Sequence, residues 1–360
     1  MSFPVNKYVC DVPVYEPGRP IEEVARELGL KPSGIIKLAS NENALGPSPK
    51  ALAAMRKALT TAHLYPDGGG YYLRQALAKK LGVAMENIIL GTGSNEIIEF
   101  LFHTFVSPGD EVVAGDRAFV IYKIMAKMFQ ARCVEVPFAD HTHDLKAMRA
   151  AITTKTKLVF VANPNNPTGT RVANAELTAF IKSLPAHVVC VLDEAYIEFL
   201  DDPPPSIEYA RKHQVVLLRT FSKIVGLAGL RIGYGVAQPE CIALFQRVRQ
   251  PFNVNSIALA GALAAVNDTG HIRKTKVLTR RGLAYFEKEF GRLKLEFVPS
   301  CANFMLVNVG DGDKVFRGLQ QRGVIVRPMR AYKMPAWVRV TVGLPAENQK
   351  FIKALKEELS

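Results

Sequence analysis

The sequence predicts an α/β protein with a mainly parallel sheet flanked by helices, accompanied by a smaller α+β unit. Between residues 87 and 249, short runs rich in valine, isoleucine and leucine alternate with amphipathic helical stretches. Strands that are apolar along their whole length are typical of a parallel sheet that is buried on both faces. The pattern changes after residue 251, where helical stretches precede four short strands and a terminal helix.

Seven apolar runs predict the strands of the large sheet, and helical patterns lie between most of them. The strand runs are NIILG (87–91), DEVVAG (110–115), RCVEVPF (132–138), KLVFVAN (157–163), VVCVLDEA (188–195), VVLLRTFS (215–222) and IGYGVA (232–237). The helical patterns are NEIIEFLFHTFV (95–106), FVIYKIMAKMFQ (119–130), LKAMRAAI (145–152), AELTAFIKSL (175–184) and PECIALFQRVRQ (239–250).

The later part of the chain predicts the smaller unit. Its strand runs are LEFVP (295–299), NFMLVNV (303–309), GVIVRPM (323–329) and WVRVTVG (337–343). We therefore expect a large domain over residues 40–250. We expect a small domain formed by residues 251–360 together with residues 1–39, which supply an N-terminal arm.

Composition and charge argue against several classes of protein. Apolar residues make up 48% and charged residues 22% of the chain, which is ordinary globular usage. No apolar run approaches the roughly 20 residues of a membrane-spanning helix, and the N-terminus lacks the apolar centre of a signal peptide. The net charge of +13 suits anionic ligands. The basic stretch 271–282 has no interleaved aromatic residues for base stacking, so we interpret it as a solvated helix face. We expect a cytoplasmic protein with neither membrane nor nucleic-acid partner.

The cysteines and histidines do not predict a metal site or a disulfide framework. Five scattered cysteines without a C-x-x-C motif fit a reducing compartment, and Cys190 lies inside an apolar run that predicts a core position. His141 and His143 lie in the polar segment ADHTHD without further ligand residues. We interpret that segment as a solvent-exposed loop and expect no metal.

Four of the predicted strands end in polar or glycine-rich segments. These are GTGSNE (91–96), NPNNPTG (163–169), DEAY (193–196) and FSKIVGLAGLRIGYG (221–235). Each alone is compatible with an ordinary turn or a surface lysine, and GTGSNE is neither a P-loop nor a dinucleotide fingerprint. Because ligands bind at the carboxyl ends of parallel strands, the four segments together predict one binding site.

Lys223 and Asp193 are the candidates for chemistry. Lys223 follows a strand in a segment with few charges apart from Arg231. A partly desolvated lysine near another cation has a pKa below its free value of about 10.4, as an amine that forms a Schiff base at neutral pH requires. Asp193 ends an apolar strand and can pair with a protonated ring nitrogen, which makes a pyridine cofactor a better electron sink.

The segments TFSKIVGLAGLRIGY (220–234), NPNNPTG and DEAY resemble the signature of fold-type-I aminotransferases. The resemblance extends over nearly the whole chain. It implies that pyridoxal 5′-phosphate binds as an imine to Lys223, with Asp193 at the pyridine nitrogen. It further implies contacts to the ring 3′-oxygen from Asn166 and Tyr196. It places the cofactor phosphate at Thr220, Ser222, Arg231 and the backbone of Ser94 and Asn95, with Phe119 stacked on the ring.

Further segments resemble the histidinol-phosphate aminotransferase family, namely LASNENALGPSP (38–49), LYPDGGGYYLRQAL (64–77), GVIVRPMR (323–330) and WVRVTVG (337–343). The resemblance implies a step of histidine biosynthesis in which L-histidinol phosphate and 2-oxoglutarate exchange an amino group, giving imidazole-acetol phosphate and L-glutamate. It also implies a homodimer with shared active sites. Tyr65 would reach the partner's cofactor phosphate, and Tyr15 would line the partner's substrate site. Asn43, Arg327 and Arg339 would bind substrate, and two arginines suit a phosphate dianion because each can bind it bidentately.

Three other functions share part of this pattern. An aromatic amino acid aminotransferase or a threonine-phosphate decarboxylase of cobalamin synthesis would use the same lysine. A transcription regulator with an aminotransferase-like domain would carry an added N-terminal DNA-binding domain. We expect no such domain here, because the NEN motif already begins at Asn41.

Overall fold

The order of helices and strands follows the predicted alternation. A computed structural model describes residues 3–15 and 17–360. Its helices are α1 (Ile21–Leu28), α2 (Pro49–Leu59), α3 (Tyr71–Leu81), α4 (Ser94–Phe105), α5 (Ile121–Met128), α6 (Leu145–Ala150), α7 (Asn174–Ser183), α8 (Ser206–Lys212), α9 (Pro239–Val248), α10 (Ser256–Val266), α11 (Thr269–Arg292), α12 (Gly312–Gln321) and α13 (Pro345–Leu359). Its strands are β1 (Ile36–Lys37), β2 (Ile88–Gly91), β3 (Glu111–Gly115), β4 (Arg132–Val136), β5 (Thr156–Ala162), β6 (Val189–Asp193), β7 (Val215–Thr220), β8 (Gly233–Val236), β9 (Phe297–Val298), β10 (Phe304–Asn308), β11 (Val324–Ile325), β12 (Arg327–Pro328) and β13 (Trp337–Thr341).

The large sheet has seven strands in the order β2-β8-β7-β6-β5-β3-β4. Strand β8 runs antiparallel to both of its neighbours, and the remaining strands share one direction. Strands β2, β3, β6 and β8 are buried along their whole length, as strands covered by helices on both faces must be. The predicted α/β class with a mainly parallel sheet is confirmed.

A smaller sheet forms the second part of the fold. Its four strands are antiparallel in the order β12-β13-β10-β9, and β1 pairs with β11 in a short parallel ladder beside it. Apolar residues of α11, α12 and α13 form one core with this sheet, and α1 packs against the β1–β11 ladder. None of the described helices is long and apolar enough to cross a membrane.

The packing of helix α10 does not agree with the predicted domain boundary. The expected boundary at residues 250/251 assigns it to the small domain, yet Ala258, Ala262 and Ala265 belong to the core beneath the large sheet. The cause is its run of small residues, which lets α2 approach closely: a Cβ added at Gly261 would lie 2.9 Å from Met55 Cγ. The domain limits remain a prediction, with α10 as the element that argues for a later boundary.

The ADHTHD segment is only in part the solvent-exposed loop that we expected, because Ala139 and Asp140 are exposed whereas His143 is buried. The segment folds back over the end of β3, where His143 is 4% exposed and its ring centroid lies 4.5 Å from that of Phe138. Burial lowers the pKa of His143 to about 4. Gly115 leaves the space for this ring, because a Cβ there would lie 2.8 Å from His143 Nδ1. Cys190, by contrast, is fully buried as predicted.

Candidate active site

The polar segments that end β2, β5, β6 and β7 meet at the carboxyl edge of the large sheet, where they surround a cavity of about 430 Å³. Most of the residues that sequence reasoning selected line it. They are Tyr15, Ser94, Asn95, Phe119, Asn166, Asp193, Tyr196, Thr220, Ser222, Lys223 and Arg231. Gly93, Ile121, Ala162, Pro164 and Ala195 complete the lining.

Lys223 lies at the floor of the cavity, just beyond the end of β7. Its Nζ donates a hydrogen bond to the carbonyl of Ser40 at 3.4 Å and lies 5.7 Å from the centre of the Tyr196 ring. Burial lowers the pKa of Lys223 to about 8, and the charges of Arg339 and Arg231 act in the same direction. The amine therefore loses its proton, and becomes nucleophilic, much closer to neutral pH than an ordinary lysine does.

Asp193 ends β6 and faces the cavity with a carboxylate that is held at both oxygens. The Ala195 N–H donates to Oδ1 at 3.1 Å, and the Tyr122 hydroxyl donates to Oδ2 at 2.6 Å. Burial raises the pKa of Asp193, while the hydrogen bond from Tyr122 opposes that rise. Sequence reasoning missed Tyr122, although its place three residues after Phe119 on a helix could have pointed to it.

Tyr196 lines the cavity next to Asp193. The Asn41 side-chain amide donates to its hydroxyl at 2.8 Å, and burial raises the pKa of Tyr196 to about 12. Asn41 was also missed, because the NEN motif offers two asparagines and the sequence does not say which one points inward. The Asn166 Oδ1 accepts a hydrogen bond from Arg339, so this asparagine links the cavity to the small sheet.

The wall of the cavity at α4 forms a cradle for an anion. Gly93 precedes the helix with φ +75°, and a Cβ there would lie 2.7 Å from Arg231 Nη2. Ser94 and Asn95 begin α4, so their backbone N–H groups carry the positive end of the helix dipole. Thr220 and Ser222 add hydroxyls from the end of β7. Asn95 Oδ1 is buried without a hydrogen-bond partner among the described residues.

Two arginines lie opposite each other on the small sheet. Arg327 of β12 and Arg339 of β13 are cross-strand partners, which places their side chains on the same face. Arg339 is 6% exposed, donates to the carbonyl of Ala39 at 2.7 Å and lies 5.2 Å above the Phe304 ring. Burial lowers the pKa of Arg339, and the charge of Arg327 lowers it further. Two cations on the same face of a sheet attract an anion to that face.

Four of the predicted residues lie outside the lining of this cavity, namely Arg327 and Arg339 on the small sheet, and Asn43 and Tyr65. The Asn43 amide donates to the Ile224 carbonyl at 2.8 Å and to Thr275 Oγ1 at 3.1 Å. Its contacts tie the NEN segment to the residue after Lys223. Tyr65 is 83% exposed and stacks on Phe252 with ring centroids 4.8 Å apart. The substrate-binding role of Asn43 and the cofactor-binding role of Tyr65 stay predictions.

Tyr15 of the N-terminal segment lies at the cavity of its own chain, and its role in a partner's site stays a prediction. We expected it to line the partner's site, whereas the structure places it in the cavity of its own chain. The N-terminal segment runs along its own small sheet, since a Cβ at Gly18 would lie 3.3 Å from Ser40 Oγ and 3.9 Å from Arg327 Nη1.

Comparison with known proteins adds an independent line of evidence. The family model for aminotransferase class I and II matches residues 33–355. A histidinol-phosphate aminotransferase of Akkermansia muciniphila is 48% identical over 356 residues, covering 98% of this chain and 98% of the relative. Histidinol-phosphate aminotransferase 1 of Cupriavidus pinatubonensis is 50% identical over 98% of this chain and 96% of its own. The crystal structure of a histidinol-phosphate aminotransferase from Sinorhizobium meliloti in complex with pyridoxal-5′-phosphate is similar with a TM-score of 0.90 and 29% identity, covering 100% of this chain and 98% of that one.

Proposed function

The chain belongs to the class I and II aminotransferases, and we propose that it exchanges an amino group between L-histidinol phosphate and 2-oxoglutarate. The products are imidazole-acetol phosphate and L-glutamate, in a step of histidine biosynthesis. The observation that carries the substrate assignment is the pairing of Arg327 with Arg339 across β12 and β13. Two adjacent guanidinium groups can satisfy a phosphate dianion with charge-assisted hydrogen bonds.

The cradle at α4 fits the phosphate of pyridoxal 5′-phosphate. Gly93 leaves the space that a Cβ would fill, and Arg231 closes the cradle from the other side. The residues that would hold the phosphate are Ser94, Asn95, Thr220, Ser222 and Arg231, all of which line the cavity. When bound, this cofactor supplies an aldehyde for imine exchange and a ring that accepts electrons.

The remaining cofactor contacts are assigned to residues of the same cavity. Asp193 would accept a hydrogen bond from the protonated pyridine nitrogen, and its burial strengthens that ionic hydrogen bond. Tyr196, oriented by Asn41, would contact the ring 3′-oxygen together with Asn166. Phe119 would stack on the ring, because it lines the cavity and its own ring packs edge-on against Tyr122 with centroids 5.8 Å apart.

Lys223 would take the proton from the substrate carbon that bears the amino group and pass it on during amino-group exchange. Its amine has a pKa of about 8, so it can accept a proton near neutral pH and return it. The hydrogen bond to the Ser40 carbonyl orients Nζ while it is not engaged with cofactor. Arg339 lowers the pKa of the amine from the substrate side, so the anion-binding and proton-transfer groups are electrostatically linked.

The substrate would bind between the cofactor and the small sheet. Arg339 would take the anionic group of either substrate, and Arg327 would add the second cation for phosphate. Tyr15 lines the same cavity and would cover the substrate. Asn43 would act on the substrate site through the backbone beside Lys223.

We also propose a homodimer in which Tyr65 serves the partner's site. The face that carries Tyr65 exposes an unusual number of large apolar side chains, which marks an interaction surface. They are Leu59 at 56%, Leu64 at 58%, Tyr65 at 83%, Tyr71 at 50%, Tyr72 at 68% and Phe252 at 47% exposure. A second copy is the expected occupant, because closed symmetric dimers bury the same patch on both subunits. A cytoplasmic location agrees with this biosynthetic role and with five free cysteines.

The experiment that tests the function is an amino-donor screen on purified protein with pyridoxal phosphate and 2-oxoglutarate. Histidinol phosphate is compared with phenylalanine, tyrosine and threonine phosphate. We expect the highest specificity constant with histidinol phosphate. Good turnover of phenylalanine or tyrosine without turnover of histidinol phosphate would reassign the chain as an aromatic aminotransferase. Release of carbon dioxide from threonine phosphate would reassign it as a decarboxylase.

A further inference from the structure

We propose that Tyr122 is a positioning residue for the Asp193 carboxylate. Its hydroxyl fixes the orientation of this carboxylate toward the cavity and lowers the affinity of the carboxylate for a proton. The proposal rests on the proposed function, because it takes Asp193 as the partner of the cofactor ring nitrogen. Tyr122 is 0% exposed and does not line the cavity. Its hydroxyl, which donates to Asp193, can therefore act on the cofactor only through that carboxylate.

The hydrogen bonds to Asp193 define the plane of its carboxylate. Oδ2 accepts from the Tyr122 hydroxyl at 2.6 Å, and Oδ1 accepts from the Ala195 N–H at 3.1 Å. The first comes from α5 and the second from the residues that follow β6. A carboxylate held at both oxygens cannot rotate freely, so its free lone pairs keep one direction toward the cavity.

The position of the Tyr122 hydroxyl is itself set by packing. Its ring stacks on Phe160 of β5 with centroids 4.4 Å apart and meets the edge of Phe119 at 5.8 Å. Phe160 is in turn stacked on Phe102 of α4 at 6.0 Å. The hydroxyl that holds Asp193 and the aromatic ring that lines the cavity therefore belong to one packed aromatic group.

The electrostatic consequence follows from the direction of the hydrogen bond. Burial raises the pKa of Tyr122 well above its ordinary value, so the hydroxyl stays protonated and acts as the donor. A hydrogen bond donated to a carboxylate stabilises its charged form and lowers its pKa. The other charges near Asp193 are Glu194, which raises its pKa, and Lys223, which lowers it. With Tyr122 in place, the shared proton stays nearer the ring nitrogen, which keeps the ring a strong electron acceptor.

The test replaces only the hydroxyl, with Tyr122→Phe. The visible absorption band of the holoenzyme is recorded against pH without substrate, and cofactor affinity is measured by reconstituting apoprotein. We expect the pH midpoint of the absorption change to rise by about half a unit to one unit, because the ring nitrogen loses part of its proton to Asp193. We expect the cofactor Kd to rise about three- to tenfold, and kcat to fall about tenfold with KM changed less than about twofold.

Tyr209→Phe is the matched control. Tyr209 is also buried, at 5% exposure, and its hydroxyl makes one hydrogen bond, to Thr178 Oγ1 at 2.5 Å. Tyr209→Phe should change the thermal stability by about as much as Tyr122→Phe does, and it should leave the absorption midpoint unchanged. In an Asp193→Asn background, Tyr122→Phe should have little further effect on the midpoint, since the carboxylate through which it acts is gone.

A second variant keeps the fold and should shift the absorption midpoint in the opposite direction. Placing 3,5-difluorotyrosine at position 122 makes the hydroxyl a stronger donor, so the absorption midpoint should fall. An unchanged midpoint in both variants, or equal effects of Tyr122→Phe with and without Asp193, would overturn the proposal. The absorption midpoint and the cofactor Kd are both measured without an amino donor. Wild-type turnover of histidinol phosphate decides the proposed function separately.

Discussion

Arg327 and Arg339 are register partners across the antiparallel pair β12–β13, so two guanidinium groups share one face of the small sheet beside the cavity. Like charges directly opposite each other on a sheet are destabilising unless something compensates them. Arg339 is compensated in part by the Ala39 carbonyl, by Asn166 and by the Phe304 ring. The two arginines therefore differ in their surroundings, and their replacement need not affect both substrates equally.

Arg327→Ala should lower the specificity constant for histidinol phosphate more than the specificity constant for glutamate. A lost charge-assisted contact costs about 1.5–3 kcal/mol, or roughly ten- to a hundredfold in specificity constant. We expect that loss for histidinol phosphate and a smaller one for glutamate, whereas Arg339→Ala should impair both. The specificity constants are measured in separate half-reactions. Arg330→Ala, at an exposed arginine paired with Asp313, is the control. Equal losses for both substrates in Arg327→Ala would remove its assignment as a phosphate-selective residue.

Lys223→Ala should abolish both cofactor linkage and turnover. The wild-type protein should be yellow, with a visible absorption band that borohydride removes, because Nζ is the amine in the cavity with a pKa of about 8. The variant should lack the reducible band. Normal transamination by this variant would contradict the central assignment.

Lys223→Met should stabilise the apoprotein at neutral pH. The folded amine titrates near 8 against an ordinary value of 10.5, so the unfolded chain binds more protons between these pH values. The destabilising effect of the buried ammonium is therefore complete below pH 8 and disappears as pH rises toward 10.5. We expect a gain of about 1–3 kcal/mol in the free energy of unfolding at pH 7, shrinking above pH 8. Denaturant unfolding across pH 6–11 measures it, with Lys212→Met at an exposed lysine as control. A gain in the free energy of unfolding that is the same at every pH would show that the buried ammonium group is not its cause.

Asp193→Ala should retain cofactor and slow proton abstraction. The phosphate cradle is untouched, but the ring nitrogen loses its anionic partner and the ring becomes a weaker electron acceptor. Single-turnover rates with glutamate should fall about tenfold or more. Asp193→Glu, which keeps the charge, should recover part of the loss. Near wild-type rates in Asp193→Ala would refute the assignment.

Mixing Lys223→Ala chains with Tyr65→Ala chains should restore part of the activity. Tyr65 is exposed on a face rich in apolar side chains and is absent from the cavity of its own chain. In a mixed dimer one shared site carries both changes and the other carries neither. Each variant alone should be weak or inactive. If folded mixed dimers form and no activity returns, the site is not shared.

The cavity residues at the strand ends could be predicted from the sequence, because the residues that mark them lie close to them in the chain. Lys223, Asp193, Thr220 and Asn166 each lie at the end of an apolar run or within four residues of it, and a parallel sheet brings such positions to one edge. The same logic placed Ser94 and Asn95 at the start of a helix. The α/β class followed from whole-strand hydrophobicity, which does not depend on how the helices pack.

Tertiary packing decided the contacts that no local signal encodes. Tyr122 and Asp193 are 71 residues apart, and Asn41 and Tyr196 are 155 apart, so their hydrogen bonds depend on how α5 and the NEN segment lie against the sheet. The exposure of His143 was mispredicted because a polar loop can still fold over the space left by Gly115. The position of Tyr15 in the cavity of its own chain likewise depends on the surface along which the N-terminal segment packs.

The sequence by itself determined the fold class, the strand-end residues of the cavity and the family, because these depend on residue type, period and motif spacing. The three-dimensional structure alone decided which asparagine of the NEN motif turns inward, which tyrosine holds Asp193, and that Arg327 stands opposite Arg339. Those relationships arise from strand register and from side-chain packing between distant segments, and a one-dimensional pattern does not specify either.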